Sequence, residues 1–301
     1  MLYYFKMAST AHIRRSPGGQ LIIAWLFCLL TSGPVFAAPA LRVAVGVPVL
    51  QTFVERIAGE RAETLILQGS GDPHAFEPSA RQMAALAGTQ LYILAGLPFE
   101  SAWLPRLRSI NPSMKVVDLR AELPTRPLDG LGAADLQSSG APDPHVWTDP
   151  AGAIKMVELI RDRLIELDPA GAANYRANSL KLNRDLDALE SKIAAQLEPQ
   201  RGRILLVFHP GWGYLADHHG LRQLPLEVSG REPGAAQLRD TLAIARRSGV
   251  SAVFLQPGHG DRIAQQVARE LGVPLVLVDP LAADYFGNVR RLVQALASSP
   301  P

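Results

Sequence analysis

From residue 41 onward, short apolar runs alternate with stretches in which apolar residues recur every three or four positions. The runs fit strands buried on both faces and the stretches fit amphipathic helices, so their alternation predicts βαβ units and a largely parallel sheet. In the first half, 41–49, 64–68, 90–95 and 115–119 read as strands, and 50–58, 79–86 and 99–109 as helices. Ser79 follows Pro78 and opens a polar-then-apolar stretch, as a helix N-cap does. A further helix over 151–167 begins after Asp149-Pro150 and closes at Asp168-Pro169. The second half repeats the alternation, with strands at 204–208, 224–228, 252–256 and 275–279 and helices at 213–219, 235–248, 261–271 and 288–297.

Between the halves lies the longest uninterrupted helical pattern, 172–197, ended by Pro199. Leu182, Leu186, Leu189, Ile193 and Leu197 form one apolar stripe along it. At about 1.5 Å per residue such a helix reaches about 39 Å, long enough to be a rigid connector. Residues 121–143 are rich in Pro, Gly, Ala and Ser without a period and read as a long surface loop. The expected fold is α/β: two similar lobes with largely parallel sheets, 38–171 and 198–301, joined by the helix 172–197.

Residues 1–37 read as a signal peptide. Lys6, Arg14 and Arg15 precede the apolar run 21–30, and Val35-Phe36-Ala37 places small residues for cleavage after Ala37. That run is shorter than the ~20 residues of a membrane span. The only cysteine, Cys28, falls inside it without the small-residue context of a lipoprotein site, so the exported chain has neither disulfides nor thiolate ligands. Removing the three leader cations from 30 basic residues leaves 27 against 28 acidic ones, a net charge near −1. No basic stripe argues for nucleic acid. At 48 % hydrophobic and 19 % charged, the composition is globular.

The candidate chemistry is metal binding. His74 lies in GDPHAFEPS (71–79), His145 in DPHVWTDP (143–150), His209 after ILLVF in FHPGWGYLADHHGL, and Asp279 at the end of LVLVD. Ligands so far apart exclude an HExxH helix, and two from each half point to a cleft between lobes. Strand ends and the turns after them are where α/β sheets carry binding residues, and the Asp-Pro-His turns use Pro to restrict the backbone and aim the imidazole. Three imidazoles and a carboxylate complete a four-coordinate zinc site with no open position for a catalytic water. His218 and His219, at the end of a short helix, read as solvated, and Asp185, Asp187 and Glu190 as a solvated helical face. His259 follows a strand and could approach the cleft. No P-loop, GxSxG elbow or CxxC is present.

The four segments, in this order, resemble those of the periplasmic solute-binding proteins that feed zinc and manganese ABC importers. The resemblance covers about residues 41–298 and carries the ligand roles onto His74, His145, His209 and Asp279. It implies two α/β lobes joined by one long helix, limited cleft closure, no catalysis, and delivery of the ion to an ABC permease in the inner membrane. The expected protein is thus a periplasmic, monomeric metal receptor. Zinc is the first choice, because relatives favouring manganese often have Glu where this chain has His209, and imidazole suits zinc. The loop 121–143 lacks the histidines that many zinc-specific members carry, and His259 is unusual for the family. A manganese-preferring receptor and an exported zinc metallochaperone are the alternatives; a zinc hydrolase ranks last, since four protein ligands leave no water position.

Overall fold

The structure, a computed structural model, describes residues 40–68, 76–128, 142–227, 231–258 and 260–298. The leader, His74, His259 and most of the loop 121–143 lie outside the described residues.

The chain runs β1 (Leu41–Val45), α1 (Pro48–Ala58), β2 (Ala62–Ile66), α2 (Ala80–Leu86), β3 (Leu91–Leu94), α3 (Pro98–Ile110), β4 (Lys115–Asp118), α4 (Pro150–Leu167) and α5 (Ala172–Leu197). It continues with β5 (Ile204–Val207), α6 (Gly213–His218), β6 (Arg222–Pro225), α7 (Ala235–Arg247), β7 (Val253–Leu255), α8 (Asp261–Leu271), β8 (Leu275–Leu277) and α9 (Tyr285–Ala297). Short 3-10 turns punctuate the joints.

The strands form two four-stranded sheets, ordered β2-β1-β3-β4 and β6-β5-β7-β8, parallel at every pairing. The two orders are the same, so the expected likeness of the halves holds at the level of topology. Parallel sheets need both faces covered, and the central strands obey: Leu91–Leu94 and Ile204–Val207 are buried at every position.

Local chemistry sets the helix starts. Pro48 and Pro150 sit at N1 of α1 and α4, where a missing N–H costs nothing. Ser79 caps α2 as expected, in a reciprocal box with Gln82. The first strand is shorter than the apolar run 41–49 suggested, because the chain leaves the sheet at Gly46 and Pro48 already opens a helix.

Helix α5 has the predicted bounds, and its buried face carries Tyr175, Leu182, Leu186, Leu189, Ile193 and Leu197. One hydrophobic core runs from the first sheet through α1, α4 and α5 into one face of the second sheet, taking in Leu205, Val207, Phe254 and α9. A second core fills the other face, around Leu206, Phe208, Leu224 and Val253.

Candidate metal centre

His209 lies two residues beyond β5 and Asp279 two beyond β8, both at carboxyl ends of strands, as expected. His145 occupies the turn before α4 and caps the 3-10 turn Val146–Thr148. The two histidines are buried, 2 % and 7 % exposed, and their Nε2 atoms face one another at 3.3 Å.

Each ring is held from behind by a carboxylate. His145 Nδ1 is 2.8 Å from Asp143 Oδ1, which also accepts the His145 backbone N–H at 3.0 Å. His209 Nδ1 is 2.7 Å from Glu227 Oε1. A carboxylate can only accept, so each Nδ1 carries the proton and each Nε2 presents a lone pair. Two inward lone pairs at this distance repel until a cation lies between them, and carboxylate-backed imidazoles are typical of metal sites.

The Asp of the Asp-Pro-His turn, rather than its proline, thus fixes the ring. Burial pushes the Asp143 carboxyl up, but its bonds from His145 and Arg126 outweigh this and hold it below the ordinary carboxylate range. Burial likewise pushes His145 below the ordinary imidazole range despite Asp143, keeping it neutral and able to coordinate.

Arg126 belongs to the segment read as a surface loop, yet its guanidinium is largely buried, 2.8 Å from Asp143 and 2.7 Å from Asp217. A Cβ at Gly213 would come within 2.0 Å of Arg126 Nη1, so the bare glycine that opens α6 admits this bridge. Trp147 is fully buried and donates its Nε1–H to Pro280 O at 2.6 Å, fastening the His145 turn to the segment after β8.

Asp279 Oδ1 accepts the Leu281 N–H at 2.9 Å, and Asn288 braces the Asp279 backbone on both sides. Burial raises the Asp279 carboxyl, partly offset by that N–H and by nearby His209. The structure therefore brings His145 and His209 together and places Asp279 within electrostatic reach.

Glu227 went unread in the sequence, although an acid inside the apolar run 224–228 was the available signal. The reading of His219 as solvated needs correcting, whereas His218 is exposed as read, its side chain 42 % accessible. His219 is 6 % exposed, and His218 Nδ1 lies 3.0 Å from Asp149 Oδ1. Glu190 is likewise turned inward rather than part of a solvated face, its side chain 20 % exposed. The burial comes from packing between α4, α5 and α6, which no local pattern reveals.

The manganese-binding lipoprotein MntA of Halalkalibacterium halodurans is 29 % identical over 240 residues, 78 % of this chain and 77 % of MntA. The zinc-binding lipoprotein AdcA of Streptococcus pneumoniae serotype 4 is 28 % identical over 241 residues, 76 % of this chain but 48 % of AdcA, so the match spans about half of that relative's length. A crystal structure of ZnuA superposes with a TM-score of 0.79 at 32 % identity, covering 86 % of this chain and 99 % of that one. Residues 43–299 match the family described as zinc-uptake complex component A, periplasmic, and the chain belongs to that ZnuA family.

Proposed function

We propose that this chain is an exported receptor that captures a divalent transition metal and delivers it to an ABC permease in the inner membrane. The observation that carries the reading is the pair of buried Nε2 atoms 3.3 Å apart, each on an imidazole backed by a carboxylate. His145, His209 and Asp279 would hold the ion together with His74, and the two sheets on either side of α5 would form the lobes. Zinc is the cargo that this imidazole-rich donor set favours. Support also comes from the match to the periplasmic zinc-uptake family. Residues 1–37 would serve as the export leader, cleaved after Ala37, and the mature receptor would act as a monomer.

The manganese-preferring alternative draws on the MntA relative. Elemental analysis of protein purified from the export compartment, followed by competition between zinc and manganese, separates the two. Zinc found in the isolated protein and retained against excess manganese supports the zinc receptor. Manganese retained against zinc would reverse the choice, and absence of either metal after exposure to both would refute a receptor role.

A further inference from the structure

Asp149, Glu190, His218 and His219 each offer a donor atom within 4.8 Å of the others, and none belongs to the His145–His209 centre. Three separate elements bring them together. Asp149 precedes α4, Glu190 projects from α5, and the histidines end α6. His218 Nδ1 lies 3.0 Å from Asp149 Oδ1 and 3.9 Å from Glu190 Oε1, and His219 Nε2 lies 3.4 Å from Glu190 Oε1. A tetrahedral zinc ion with bonds of about 2.0–2.1 Å sets its donors about 3.3 Å apart, so these separations already bracket what the ion needs.

The second observation is a set of unsatisfied polar atoms. His219 is 94 % buried by its 6 % exposure, yet its Nε2 makes no hydrogen bond among the described residues. Glu190 Oε2 is buried without a partner too, and so is the Tyr285 hydroxyl, which feels the charges of both Asp149 and Glu190. Orphaned buried polar atoms are costly, and folded chains rarely leave several together.

We infer that Asp149, Glu190, His218 and His219 form a second transition-metal site, with two imidazoles and two carboxylates suited to zinc. A dication neutralises both carboxylates while leaving the imidazoles uncharged, and it gives His219 Nε2 and Glu190 Oε2 the partner they lack. The two imidazole rings stack 4.7 Å apart, presenting their nitrogens side by side. Burial pushes the Asp149 carboxyl up despite its bond from His218, and the Glu190 charge adds to that rise. An ion here also ties α6, which follows His209, to the turn that follows His145. It would buttress the cargo centre from behind.

The test is native mass spectrometry of the full exported chain after zinc titration and removal of excess metal. Wild type should retain two ions, and Glu190→Gln and His219→Phe one each. The His145→Ala/His209→Ala chain should retain one ion, which adding Glu190→Gln removes. Glu190→Gln keeps the helix and side-chain volume, and its circular dichroism checks that the fold survives. Cobalt substituted into the His145→Ala/His209→Ala chain should give the visible absorption of a tetrahedral centre. One ion in wild type with no loss in Glu190→Gln or His219→Phe would overturn the inference. So would a His145→Ala/His209→Ala chain that holds no zinc, or holds it regardless of Glu190→Gln.

Discussion

Asp143 grips His145 twice, accepting its backbone N–H and facing its Nδ1 through the same Oδ1 atom. The turn and the ring are therefore fixed by one carboxylate, and Nε2 is left free for an ion.

If that grip positions the ligand, Asp143→Ala should weaken zinc binding about 10–100-fold while every ligand atom remains, as loss of outer partners does elsewhere. Glu227→Ala should do the same through His209. Competition with a zinc-binding dye measures both. Unchanged affinity in the two variants would reduce these carboxylates to packing.

Zinc at a thousandfold excess over its Kd should stabilise the fold by about 4 kcal/mol. For a chain of this size that is about 10 °C in Tm. His209→Ala should abolish most of the shift at low zinc, and Asp279→Ala should reduce it less if water takes the vacant position. Scanning calorimetry of chelated and zinc-loaded protein decides the matter.

The pH dependence follows from His145, whose pKa burial lowers in the folded chain. Between that depressed value and about 6.5, the unfolded chain binds a proton that the folded one does not, so this group's contribution to stability is lost as pH falls. Between about pH 7 and about pH 5, the metal-free wild type should lose more melting temperature than metal-free His145→Gln. Zinc should stay bound somewhat below pH ~6.5, where a free imidazole is half protonated, and be released with proton uptake at lower pH. Equal acid slopes in the two chains would contradict the assignment.

Just past β3, Glu100 is fully buried and accepts the N–H groups of Ala95, Gly96 and Leu97 at the start of α3. Burial pushes its carboxyl up to about 7 against those three bonds. Glu100→Ala should cost about 1–3 kcal/mol by orphaning buried donors. Gly46→Ala should cost a similar amount, because its Cβ would fall 2.0 Å from Glu100 Oε1. Urea denaturation curves give both values.

The parts of this molecule that are local in sequence were legible there. The stripe of Leu182, Leu186, Leu189 and Ile193 gave α5 its predicted length, and Ser79 marked the start of α2. The end of β1 was misjudged because the apolar run continues through Val47 and Val49, which are buried at the N-cap and in the first turn of α1 instead of in the sheet. His145, His209 and Asp279 stood out as chemistry at strand ends and turns. Glu227 did not, since its role depends on a ring 18 positions away. His219 misled for the same reason: its neighbour Glu190 arrives from a distant element.

The hydrophobic core that passes from the first sheet through α5 into the second also governs how the molecule comes apart. Leu205, Val207 and Val293 share one apolar interior with Val43, Leu91 and Leu186. Separating the halves would expose that interior to water, so neither half gains by letting go first. Chemical denaturation should then proceed as one cooperative transition. An ion held at His145 and His209 would delay the melting of β1 and β2 as much as that of β5, although no strand of the first sheet carries either histidine.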